Sequence, residues 1–232
     1  MSQEFTEQQL AIATAQTRFM AKVFSWMTLA LIITGGISFL ISGNIEIMNL
    51  IFSNSMVVIG LFIAQILSVG SLAIFVNKLS AAVATFIFVL YATLTGITLS
   101  TIFIVYTSAS IASTFFITGA TFGVMAVLGF VTGRDLSKLG SILMMALIGM
   151  VIASIANWFM KSETIYWITT YAGILIFTGL IAYDTQKIKG YAVISPDDEE
   201  NYQKASIMGA LSLYLDFINI FLLLLRLFGR RK

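Results

Sequence analysis

Two carboxylates, Asp216 and Asp184, are the residues of this chain whose placement most calls for chemistry. Asp216 lies near the middle of ALSLYLDFINIFLLLLRLFG (210–229), a stretch otherwise about as apolar as a membrane span. Asp184 lies in GLIAYDTQKIKG, at the end of another apolar run. A carboxylate at membrane depth costs at least about 2.5–3.5 kcal/mol, so it should face protein or water and is a functional candidate. Two acids sharing a dry site cannot both ionise freely and should titrate as a unit. Such a pair has two obvious uses: holding a hard cation through oxygen ligands, or switching a gate as a proton binds. The bland alternative has both acids pinning helices through hydrogen bonds to Ser, Thr, Asn or backbone. In a chain only 10% charged, function outweighs that alternative.

On a helix of 3.6 residues per turn, Gly209, Ser212, Asp216, Asn219 and Arg226 fall at steps of three, four, three and seven. They form one polar stripe along a greasy cylinder, with Ser212, Asn219 and Arg226 as supports of Asp216 and not as conduction residues.

The composition sets the surroundings. Of the 232 residues 59% are hydrophobic, and the mean hydropathy is +0.97. Soluble domains carry about 25% charged residues, so this is an all-α polytopic membrane protein. The net charge of +2 is too small to suggest nucleic acid as a partner; membrane lipids are the expected surroundings. Cysteine and histidine are absent, which removes thiolate chemistry, the imidazole pH switch and the commonest transition-metal ligand. No GxxxxGK[ST] phosphate loop is present. No cofactor is expected, and no enzyme.

A span needs about 20 apolar residues. Seven segments qualify: 23–42, 56–76, 81–106, 110–132, 139–159, 165–183 and 207–228. Residues 1–22 are too polar for a signal peptide and form a cytoplasmic leader, in which 10–22 could make a short surface helix; 23–232 form a single membrane domain. Gly119 and Gly123 are spaced as a small-xxx-small pair for close helix packing. Arg18, Lys22, Lys78, Arg134, Lys138, Lys187, Lys189 and Lys204 all fall on one side of this topology, against Lys161 alone on the other. That bias puts the N-terminus in the cytoplasm. The seventh segment is long enough to cross, yet Arg226, Arg230, Arg231 and Lys232 would then finish outside. The acidic run Asp197–Glu200 after Pro196 reads as a solvated turn or the start of a short helix.

GLIAYDTQKI followed by ALSLYLDFINIFLLLLRLFG resembles the paired C-terminal signatures of the Bax inhibitor-1 family, also called the transmembrane Bax inhibitor motif family. TGITLS (95–100) and the NKLSAA turn before it support the resemblance, which extends over nearly the whole chain and suggests a bacterial member. The resemblance implies six helices around a central hydrophobic seventh, and a pH-sensitive calcium leak with Ca²⁺ as transported ion. It implies a buried aspartate pair, here Asp184 and Asp216, as proton sensor and gate, and as tentative Ca²⁺ ligands. It also implies a closed-state latch at Lys78, weaker than an arginine because an ammonium is a point charge and not a fork. Some members carry an acid in the second span; this chain has Gln65 and Ser68 there. The family also implies an alternative, a non-transport regulator that binds a membrane-bound quality-control protease or a stress or cell-death partner. A bacterial inner membrane is the expected location. An intramembrane aspartyl protease needs Gly-x-Gly-Asp, and the chain reads Leu213-Tyr214-Leu215-Asp216. A solute or proton-coupled transporter is a further reading.

Overall fold

Hydrocarbon offers no partner to a backbone N–H or C=O, so apolar runs of this length must close their hydrogen bonds within helices. The computed structural model describes residues 2–193 and 198–232, with backbone alone at 2–6 and 193. The helices are α1 (Ser2–Ser42), α2 (Ile45–Phe52), α3 (Ser55–Phe75), α4 (Ala81–Leu99), α5 (Ile102–Val105), α6 (Ser108–Val131), α7 (Ser137–Met160), α8 (Glu163–Lys189) and α9 (Glu199–Phe228). Seven helical segments are long and apolar enough to cross a membrane, and the fold is that of an all-α polytopic membrane protein. α9 is the most buried of them, with 61% of its apolar window inside the protein against 6% for α7.

Three elements differ from the sequence expectation. The leader and first span are one helix, α1, of 41 residues and about 60 Å, twice the hydrocarbon thickness. No glycine or proline precedes Gly35, so nothing breaks it. Its buried face begins at Phe19, Met20 and Val23, and residues 7–14 are exposed. The long third span instead divides into α4 and α5. There Ser100 Oγ donates to Ile97 O at 2.6 Å and Thr101 Oγ1 to Thr98 O at 2.9 Å, and two successive hydroxyls folding back on i−3 carbonyls end the helix. Finally, α8 runs six residues past its expected end, so Asp184 stands on a helix and not at a loop. The acids Glu199 and Glu200 form the first turn of α9, capped by Asp198, whose carboxylate accepts from Asn201 N at 3.1 Å and Asn201 Nδ2 at 2.7 Å. Pro196 and Asp197 lie outside the described residues.

The chain groups into two compact units. Unit 1 holds residues 1–105, 190–214 and 232. In it α1 is zipped to α4 by two bonds one turn apart, Thr34 Oγ1 to Ala92 O at 2.9 Å and Ser38 Oγ to Gly96 O at 2.7 Å. A Cβ on Gly96 would meet Thr34 O at 2.8 Å, so the glycine permits this approach. Gln65 of α3 bonds Thr98 of α4 at 2.6 Å, and Tyr214 OH shares a 2.7 Å bond with Thr34.

Unit 2 holds residues 106–189 and 215–231. α8 packs on both α6 and α7. A Cβ on Gly129 would collide with the Ala182 backbone, and one on Gly140 with the Tyr183 ring. Gly119 and Gly123, the expected packing pair, meet nothing within 4 Å. Their spacing is right, but they face away from the neighbours, which the spacing alone does not reveal. At one end of the unit Tyr106 and Arg231 form an antiparallel bridge, Thr107 N donates to Arg230 O at 3.0 Å, and Arg230 N donates to Ser110 Oγ at 3.0 Å. α9 therefore ends beside the start of α6, at the opposite end from the α6–α7 turn. Gly129→Ala is expected to destabilise the protein by about 1–3 kcal/mol through overpacking, whereas Gly119→Ala, in a helix with open space for its Cβ, should be neutral or stabilising by up to about 1 kcal/mol. Melting curves in detergent check both, and equal effects would contradict this packing.

Candidate functional site

Unit 2 contains both aspartates. Asp216, on α9, is 5% exposed, and its Oδ2 has no hydrogen-bond partner among the described residues. Asp184, on α8, is half-buried and acts electrostatically on Asp216. The basic group acting on Asp184 is Lys187, one helical turn on. The local balance is thus two carboxylates against one exposed lysine. Lys187 was missed in the sequence reading, although an i, i+3 acid–base pair on a helix is a legible signal.

The segment carrying Asp184 is held from several sides. Ala182 and Tyr183 press against Gly129 and Gly140. Thr185 is fully buried and donates to Ile181 O at 2.7 Å. Gln186 clamps the α6–α7 turn: its Oε1 accepts from Leu136 N at 2.8 Å and its Nε2 donates to Arg134 O at 2.8 Å. Lys189 Nζ donates to Phe130 O at 2.9 Å and lies 4.8 Å from that ring centre, satisfying a carbonyl in the last turn of α6. In the same turn Asp135 accepts from Ser137 N at 2.8 Å, and the Ser137 hydrogen bonds hold its carboxyl below the usual carboxylate range.

Asp216 is fixed by its neighbours on α9. Phe217 meets Phe115 and Phe122 edge-on at 5.3 and 5.7 Å, and Phe221 meets Phe115 at 6.2 Å. The expected stripe divides in role. Asn219 Nδ2 donates to Leu215 O of its own helix at 2.8 Å. Arg226 Nη1 donates to Thr170 Oγ1 at 3.2 Å and its guanidinium lies 4.6 Å from the Tyr166 ring centre, tying α9 to α8. Ser212 is half-buried and belongs to unit 1. Lys78 also belongs to unit 1, in the 3₁₀ turn Val76–Lys78; it is exposed, lies 6.0 Å from the Phe75 ring centre and has no ion pair among the described residues.

No cluster of three or more acids that could hold a metal ion occurs among the described residues. Two carboxylates provide at most four oxygens, against the six to eight that Ca²⁺ prefers. Two carboxylates alone therefore fall short of the ligand set of a resident Ca²⁺.

Seven helices long and apolar enough to cross a membrane, with no strand ladder among the described residues, define an all-α polytopic membrane protein. The chain belongs to the Bax inhibitor-1 family: the family described as "Inhibitor of apoptosis-promoting Bax1" matches residues 16–232. It is 51% identical to "Inner membrane protein YbhL" of Escherichia coli (strain K12) over 215 residues, 92% of each chain. It is 43% identical to an uncharacterized protein of Borreliella burgdorferi over 217 residues, 94% of each chain. It is 42% identical to an uncharacterized protein of Rickettsia prowazekii over 215 residues, 93% of this chain and 90% of that one.

Gln186→Leu removes both bonds to the α6–α7 turn. Each such bond contributes about 1 kcal/mol, so with both lost amide exchange across residues 132–137 is expected to quicken about thirtyfold. Exchange measured by mass spectrometry checks this, and unchanged protection would show that the clamp is unimportant. The depressed Asp135 carboxyl stabilises the start of α7 above its ordinary value near pH 4, and that stabilisation is lost as pH falls further. An NMR titration of Asp135 should therefore show a midpoint below about 3.9.

Proposed function

We propose that this protein is a pH-sensitive calcium-leak channel of a bacterial inner membrane, with Asp184 and Asp216 as proton sensor and gate. The observation that carries the reading is Asp216: buried on a membrane-length helix, with a carboxylate oxygen unpartnered among the described residues and a second carboxylate as its electrostatic neighbour. While the pair shares a proton, one negative charge is balanced by Lys187 and α8 stays packed against α9. Loss of that proton sets two like charges against each other in a poorly solvated place. Their repulsion favours separation of α8 and α9, and the added negative charge attracts Ca²⁺, which moves downhill as cargo. The family resemblance and the aspartate placement support this reading. The inner-membrane location follows the name of the E. coli relative, and a cytoplasmic N-terminus follows the bias of basic residues.

Calcium flux into dye-loaded proteoliposomes tests it. Wild type is expected to leak faster at pH 8 than at pH 6, and Asp216→Asn and Asp184→Asn to lose that difference. If both variants keep the wild-type pH response, the aspartates are not the gate. In the same assay a raised leak at pH 6 in Lys78→Gln supports the latch at Lys78, and an unchanged leak removes it.

A second reading, a regulator that binds a membrane protease, is favoured by α1. Its first turns expose Leu10 (62%) and Ile12 (48%), apolar side chains suited to a partner. Deleting residues 2–14 leaves flux unchanged under the first reading and abolishes partner capture under the second.

A further inference from the structure

The end of unit 2 where α8 begins and α9 ends carries a second charged site, which the gate does not use. A recess of about 410 Å³ there is lined by Tyr166, Trp167, Glu163, Arg226 and Arg231 among others. Arg226 is half-buried near the end of a membrane helix, where a cation needs an anion or water. Its contacts with Thr170 and Tyr166 occupy one of five guanidinium donors and one ring-facing surface. Among the described residues no carboxylate lies within ion-pair distance of it, not even Glu163, which lines the same recess. Arg231 is exposed, and the backbone bridge to Tyr106 fixes where its side chain starts.

The surroundings place the recess at the depth of lipid headgroups. Trp158 (81% exposed) and Phe159 (81%) end α7 at this end of the unit, and Tyr171 and Phe228 are also exposed. Exposed aromatic residues at helix ends form the belt that sits between hydrocarbon and water. Ile168, one turn further into α8, offers an apolar surface to acyl chains.

We propose that this recess binds the phosphate of an anionic phospholipid, with the Arg226 and Arg231 guanidinium groups as its ligands. The guanidinium fork matches two phosphate oxygens, and a half-buried arginine strengthens such bonds. Glu163 sets the preference between sources of phosphate. A lipid phosphodiester carries one negative charge, whereas inorganic phosphate near neutral pH carries more, and the carboxylate repels the second charge.

The test uses the full-length protein in uncharged detergent, with lipid retention read by native mass spectrometry. Dioleoyl phosphatidylglycerol is compared with dioleoyl phosphatidylcholine and with inorganic phosphate as competitor. Phosphatidylglycerol is expected to bind at least about tenfold more tightly than phosphatidylcholine, and Arg226→Gln to lower that affinity about tenfold, since a hydrogen bond to a charged group is lost. Arg231→Gln, at an exposed position, should lower it several-fold without disturbing the fold, and decides the matter alone if Arg226→Gln does not fold. Glu163→Gln should let inorganic phosphate compete where it does not in wild type. Equal binding of the two lipids overturns the proposal, as does wild-type affinity in Arg231→Gln. Strong competition by inorganic phosphate against the wild-type protein overturns the lipid as the source.

Discussion

A carboxylate buried on a helix of membrane length must be hidden from lipid on every side, and Asp216 imposes that condition on the rest of the fold. Burial of α9 to the extent seen follows from it, since a helix exposing Asp216 to hydrocarbon would not stay inserted as it is. In a membrane no hydrophobic force draws helices together, because lipid tails are as apolar as leucine. Close fit and hydroxyl-to-carbonyl bonds must do that work instead. The buried polar residues are accordingly almost all Ser and Thr, such as Thr34, Ser38, Thr118, Thr170 and Thr185. The Thr34 and Ser38 bonds to α4 show how such residues join two helices without placing a charge between them.

The eight residues 182–189 concentrate several separate tasks. Ala182 and Tyr183 fill the space left by two glycines, Asp184 supplies charge and Thr185 closes on its own helix. Gln186 and Lys189 then satisfy backbone groups at the α6–α7 turn and the end of α6. Asp184 is thereby set on a well-braced surface even though its carboxylate is only half-buried.

The helices and both acids were legible in the sequence, because charges inside long apolar runs are rare and costly. Other features were not, for identifiable reasons. Spacing identified Gly119 and Gly123 as a packing pair, but only the direction each faces tells them from Gly129 and Gly140, which make the close approaches. The end of α4 depends on which carbonyls Ser100 and Thr101 select, and many serines and threonines in membrane helices bond back without ending them. The continuity of α1 was hidden by its change from polar to apolar, which reads as a boundary although helix propensity runs through it unbroken. Lys187 was legible and overlooked, since a lysine in a basic loop was counted for topology before it was considered as a neighbour of Asp184.

The stitching of residues 229–231 to the turn before α6 bears on the order of assembly during synthesis. Thr107 N and the Ser110 hydroxyl find their partners on a residue that leaves the ribosome 120 or so positions later. The start of α6 therefore inserts before its own end bonds exist and must keep them hydrated until α9 arrives. A ribosome stalled within α9 would leave the fourth apolar span with an unfinished entrance, because residues 230 and 231 supply its last bonds.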